Sequence, residues 1–180
     1  MERAVAWILA IAGVEWWWRR RLRSRASAWQ ATALVLLPAS LFAPRRRQPV
    51  RGGRTVCVAG GLIAVFGYPL GRTLLGDRSR SGPTDGLCSE LLGLGLLTVT
   101  EELVWGRQVE PLTGVPATAV LFALKHALID GRWRRVLGLG LFWLGLGLVR
   151  RQSPRVALLV HCVANASGVV IGHWLDQDQF

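Results

Sequence analysis

Lysine is almost missing from this chain: all of its 22 basic residues but Lys125 are arginines, and with 11 acidic residues the net charge is +11. A soluble protein so basic would suggest nucleic acid. Here the arginines gather in short clusters with nearly uncharged runs between them, the pattern of membrane-anchoring loops. Cysteine is scarce as well. Cys57, Cys88 and Cys162 are an odd number without metal-ligand spacing, each in apolar surroundings, so buried free thiols are expected and a disulfide framework is not. The ten-residue alternation of a transmembrane barrel is missing, so a chain lying in lipid must satisfy its backbone with helices. No H-E-x-x-H sets two zinc ligands on one helix turn. The glycine-rich run around Gly138, Gly140, Gly145 and Gly147 has Trp143 where a dinucleotide fingerprint needs its third glycine, and small residues that let helices approach closely are the better account. No internal repeat is visible, and no stretch is left over for a soluble domain of useful size. The opening segment lacks a clean small-residue cleavage site before Trp16 and reads as a retained helix.

What the chain does have is apolar length. Half of its residues are hydrophobic, in runs over about 4–18, 28–43, 56–75, 87–105, 115–129, 136–149 and 156–175. Arginine clusters punctuate them at 19–25, 45–54 and 132–135, and Trp16, Trp17, Trp18 and Trp133 sit beside clusters, as an interfacial aromatic belt does. The expectation is an all-α protein, a polytopic transmembrane helical bundle of six to seven spans, in a bacterial plasma membrane. Residues 1–80 would be N-terminal membrane helices and residues 81–180 the helical core that carries chemistry, with the polar stretch 76–86 as a hinge. Seven spans would divide the arginines ten to eleven between the two sides, so the positive-inside rule gives no orientation. The second run, with five arginines at each end, is the candidate for a re-entrant helix.

Ionisable groups at membrane depth are costly and mark functional sites. Glu101 and Glu102 sit inside the fourth run, His126 in the fifth and His161 in the seventh. Glu15, Glu90 and His173 read as boundary or packing residues, although Glu90 lies eleven residues before Glu101 and hence on nearly the same helix face. His161 and Asn165 are four apart, as are Phe122 and His126, so each pair shares one face of its helix. Polar side chains on an otherwise apolar face must aim at a partner in the bundle or at water. A glutamate, two histidines and an asparagine around a water supply a general base, a second proton carrier and donors for an oxyanion, the parts needed to hydrolyse an amide. A desolvated carboxylate beside a second carboxylate would also be a better base near neutral pH. Two histidines and a glutamate are equally a plausible zinc set.

Glu101-Glu102 with an arginine shortly after, Phe122-Ala-Leu-Lys-His126 and His161-Cys-Val-Ala-Asn165 resemble, in order, the motifs E-E-x-x-x-R, F-x-x-x-H and H-x-x-x-N of the CPBP intramembrane proteases, a family that includes CAAX prenyl endopeptidases. The resemblance covers about residues 95 to 172. It implies an intramembrane endopeptidase acting on membrane-anchored or lipidated proteins, with no nucleic-acid partner and no obligatory metal. Carried over, it makes Glu101 the base that activates water, with His126 sharing that water and His161 and Asn165 stabilising the oxyanion. Glu102, Phe122 and an arginine would support them. The pattern would put that arginine at position 106, where this chain has Gly106 followed by Arg107. Either the helix ends or bulges at Gly106 and Arg107 still reaches Glu102, or the arginine's role is lost. The rivals are a non-catalytic membrane interaction or immunity protein with the same fold, and a small proton-coupled transporter, for which inverted repeats would be expected.

Overall fold

The structure is a computed structural model that describes residues 2–43, 53–77, 80–81 and 85–178. The expected cluster Arg45-Arg46-Arg47 and Arg78 lie outside the described residues. Eight α-helices are described: α1 (Glu2–Arg21), α2 (Arg25–Phe42), α3 (Arg54–Leu74), α4 (Leu87–Glu101), α5 (Glu110–Thr113), α6 (Val115–Asp130), α7 (Val136–Arg150) and α8 (Pro154–Leu175). A π-helical segment, Glu102–Val109, joins α4 to α5. The described residues are therefore all-α apart from a two-residue antiparallel pairing of β1 (Arg80–Ser81) with β2 (Gln177–Asp178), which ties the polar 76–86 stretch to the C-terminal end of α8.

Local chemistry sets the helix ends. The Ser24 side chain accepts from the Ser27 N–H at 3.0 Å to start α2, and Ser153 caps the start of α8 ahead of Pro154. Arg19, Arg20 and Arg21 close α1, where cations complement the helix dipole. Arg20 and Arg21 also lie over the rings of Trp16 and Trp17, at 4.4 and 3.8 Å. Gly131, in the left-handed region at φ 67°, ends α6.

Helices α3 and α7 make the most extensive packing in the bundle. A β-carbon at Gly71 would meet the Gly138 nitrogen at 2.4 Å, and one at Gly145 would meet the Ala64 nitrogen at 2.4 Å. The small residues Gly60, Ala64, Gly67 and Gly71 form a stripe, three or four residues apart, along the buried face of α3. The close-approach role expected for the α7 glycines therefore holds for Gly138 and Gly145, and at Gly147 a β-carbon would meet Val115 Cγ1 at 2.4 Å, whereas Gly140 has no close neighbour beyond the Ala123 side chain at 3.9 Å.

Around a hydrophobic core that includes Trp105, Phe122 and Trp143, the bundle also exposes apolar side chains and buries charges. Large apolar side chains face outward on several helices, among them Leu34, Phe42, Val58, Leu92, Leu128 and Trp174, the last 83 % exposed. Glu15, Glu90, Glu101, Glu102, Glu110, Lys125, Arg135, Arg150 and His161 are buried. Charged residues of this kind are almost never buried unless paired.

Among the described residues, two helices are long and apolar enough to cross a membrane: α3, with mean hydropathy 1.3, and α8, with 1.6. The expectation of six to seven spans is coarser in the structure for a physical reason. At 1.5 Å per residue, α4, α6 and α7 with 15, 16 and 15 residues extend only about 22–24 Å, short of a hydrocarbon core of about 30 Å. The cysteines also differ from expectation. All three are free, but Cys88 is exposed and Cys57 and Cys162 are half-buried, because each sits on an outward or lateral helix face.

Candidate active site

The π-helical segment organises the site. From Glu102 to Val109 the backbone widens to i→i+5 hydrogen bonding, seen where the Glu110 N–H donates to the Trp105 carbonyl. Such segments are rare and frequent at functional sites. Here the wider turn puts one more residue into each turn, and Glu102, Gly106 and Glu110 form a row facing α7. Arg150, the last residue of α7, fills that row. Its Nε and Nη2 donate to the two oxygens of Glu102, both at 3.0 Å, and its Nη1 donates to Glu110. The guanidinium is buried and lies 4.8 Å from the centroid of the Trp143 ring.

This corrects the expected partner of Glu102. Arg107, four residues along from Leu103, is half-buried and has no ion pair among the described residues; Glu102 is neutralised by Arg150 instead. Both alternatives raised by the offset are superseded: the helix does widen at Gly106, yet the arginine comes from a different helix.

Glu101 has its own cation. Lys125 donates to Glu101 Oε1 at 2.8 Å and to Glu15 Oε2 at 2.7 Å, with all three side chains buried. The second carboxylate that the sequence places beside Glu101 is thus matched by Arg150, and the nearest charge to Glu101 is an ammonium. Sequence reasoning missed Lys125, Glu15, Glu110 and Arg150. Two signals were present: the chain's one lysine lies mid-run beside His126, and Glu15 interrupts an otherwise apolar run.

The two histidines approach different oxygens of Glu101. His126 Nε2 lies 3.2 Å from Glu101 Oε1, and His161 Nε2 lies 3.9 Å from Oε2. His126 Nε2 is itself buried, and it faces Glu101 at that short distance without an ideally aligned hydrogen bond. His161 is fully buried, and its Nδ1 is 2.9 Å from Glu102 Oε1. Because a carboxylate only accepts, this contact makes Nδ1 the protonated nitrogen and turns Nε2 toward Glu101. Phe122 stacks on Trp143 with centroids 4.1 Å apart and meets the His126 ring edge-on at 4.6 Å, which fixes that imidazole. Asn165 stands apart from this cluster. Its amide donates to Thr98 Oγ1 at 2.8 Å, and Thr98 in turn donates to the Leu94 carbonyl.

A cavity of about 570 Å³ leads to these groups. Glu15, Glu101, His126, His161 and Asn165 line it, between apolar walls contributed largely by α3 and α8. At one end lie Arg19, Arg135 and Asp130, joined by ion pairs. Its size suits a ligand of drug-like or short-peptide dimensions. Among the described residues no group of three His, Cys, Asp or Glu side chains has a metal-binding arrangement.

Fold and site together define a class: a helical bundle with apolar flanks and a buried centre of paired carboxylates, histidines and cations opening into an apolar cavity. No protein-family model, no curated protein and no solved structure matches the chain.

Proposed function

We propose that this protein is a polytopic membrane endopeptidase of the CPBP type, in which Glu101 activates a water to hydrolyse a peptide bond of a membrane-associated or lipidated protein. The observation that carries the reading is the meeting of Glu101, His126 and His161, from three separate helices, at the wall of one cavity. The membrane setting rests on the outward apolar faces and buried charges, and on α3 and α8 as spanning helices. The shorter α4, α6 and α7 lie among protein neighbours, where tilt or local thinning of the bilayer accommodates them. The bacterial plasma membrane remains the proposed location.

The 3.9 Å between Glu101 Oε2 and His161 Nε2 is a separation that one bridging water spans. Glu101 takes a proton from that water as its oxygen attacks the scissile carbonyl carbon. The carbonyl oxygen becomes the oxyanion, met by the second N–H of Asn165 on the cavity wall; His161, which the resemblance pairs with Asn165 in that role, instead holds the water, because its Nε2 carries no proton to donate. As the tetrahedral intermediate collapses, the C–N bond breaks and the proton passes from Glu101 to the leaving amine. A zinc-dependent variant of this chemistry is disfavoured by Lys125, whose ammonium already sits 2.8 Å from the carboxylate a metal would need.

That ammonium also favours one second reading. A chain that keeps Glu101 clamped between Lys125 and His126 for structure alone would be a non-catalytic membrane interaction or immunity protein. The test is cleavage of membrane-anchored reporter peptides by the purified protein. The endopeptidase reading expects turnover by the wild type and none by Glu101→Gln; equal turnover, or none from either, overturns it.

A further inference from the structure

We propose that Arg150 is a positioning residue that acts on His161 through Glu102, and that Gly106 is glycine because the Arg150 guanidinium occupies the space of its side chain. The part concerning cleavage rests on the endopeptidase reading; the part concerning His161 does not.

Three observations carry it. First, the guanidinium meets Glu102 as a two-pronged fork, the geometry that fixes a carboxylate's plane as well as its charge. Second, the same Glu102 oxygen that accepts from Arg150 Nη2, Oε1, is the one facing His161 Nδ1 at 2.9 Å. The plane of Glu102 therefore sets which imidazole nitrogen carries the proton, and so leaves Nε2 toward Glu101 and the cavity. Third, a β-carbon built at Gly106 would lie 2.6 Å from Arg150 Nε and 3.0 Å from its Cζ. An exposed arginine tip would swing aside, but this one is buried and held by Glu102 and Glu110, so any side chain at 106 breaks the fork.

The same geometry makes positions 106 and 150 alternatives. Glu102 and residue 106 are four apart and lie in the same row, the spacing at which a carboxylate and an arginine on one helix reach each other. An arginine at 106 and a small residue at 150 would place the same charge in the same volume from the other side. Glu102 needs one guanidinium, and the fold has room for one.

The chain has three histidines, so ¹⁵N-histidine labelling with His126→Gln and His173→Gln assigns the His161 signals in the full-length protein in detergent micelles. The wild type is expected to show His161 protonated at Nδ1. Arg150→Met and Gly106→Ala should both release it to a mixture of tautomers, and Gly106→Arg/Arg150→Ala should restore the wild-type pattern. Should Arg150→Met fail to fold, Arg150→Lys decides the point, since it keeps the charge and stem but not the fork. Unchanged His161 signals in folded Arg150→Lys or Gly106→Ala overturn the proposal, as does a double variant no closer to wild type than Arg150→Met. With cleavage as second readout, Arg150→Lys should lower kcat with KM unchanged, by up to the roughly 10⁴-fold that a wrong imidazole tautomer costs. If His161 responds as expected while the wild type cleaves nothing, the endopeptidase reading fails and the role of Arg150 stands.

Discussion

Two buried ion centres stand back to back at the Glu101–Glu102 step, and they differ in what they face. Glu101, Lys125 and Glu15 gather two carboxylates around one ammonium, and both carboxylates line the cavity. Glu102, Arg150 and Glu110 gather two carboxylates around one guanidinium, packed behind Trp143 and away from the cavity. The stoichiometry is the same. A cavity opens onto one centre, whereas the other is enclosed by protein. An enclosed ion triad has no means of compensating a missing member, so it works as a fixed frame. A triad on a cavity wall can exchange a partner for water or substrate, which is what a reacting carboxylate requires.

The largest expected effect falls on the cavity side. Glu101→Gln removes the proton acceptor yet leaves Lys125 its bond to Glu15, so reporter cleavage should drop below detection while the melting temperature in detergent moves little. Preserved cleavage would erase the distinction between the two centres.

Next comes stability, where the order should reverse. Arg150→Met takes the guanidinium from Glu102 and Glu110 in an enclosed site and leaves Glu102 its contact with His161, at a cost of about 3–5 kcal/mol. Lys125→Met strands Glu15 and Glu101 beside a cavity that hydrates them, and should cost less. Chemical unfolding of the two variants in the same micelle measures the difference. Equal losses would mean that the cavity is dry at Glu101.

Third is the oxyanion wall. Asn165→Ala should lower kcat by about 10²–10³-fold and leave measurable activity, because Glu101 and the water it activates remain. A loss as complete as that of Glu101→Gln would move Asn165 from the oxyanion to the base. The variant also frees Thr98, whose hydroxyl keeps its bond to the Leu94 carbonyl, so folding should survive.

The contrast also explains what could be read from the residues alone. His161, Asn165, Phe122 and His126 stand out because a four-residue spacing puts polar groups on one face of an apolar run, and helix periodicity is local information. The helices themselves were legible from the same runs. Arg150 and Glu110 sit at the ends of such runs, where a charge ordinarily meets water, and nothing local distinguishes a boundary arginine from one folded back onto a neighbouring helix. Glu15 was hidden for the opposite reason: its partner, Lys125, is 110 residues away, and only the packing of α1 on the rest of the bundle brings them together. Nothing local marked the π-helical segment, whose row of Glu102, Gly106 and Glu110 leaves Arg107 to one side.

The smallest expected effect is at Arg107, and it sharpens the comparison most directly. The sequence nominated this residue as the support of Glu102, while the structure gives that place to Arg150 and leaves Arg107 half-buried without an ion pair among the described residues. A charge with no specific partner contributes little, so Arg107→Ala should change stability by no more than about 0.5 kcal/mol. Cleavage should stay within about twofold, since one oxyanion or positioning contact is worth far more. Arg107→Ala and Arg150→Lys, assayed side by side, then separate the two candidates. A severe loss at Arg107 with a mild one at Arg150 would return the supporting role to the π-helical segment and leave the Arg150 triad a purely structural frame.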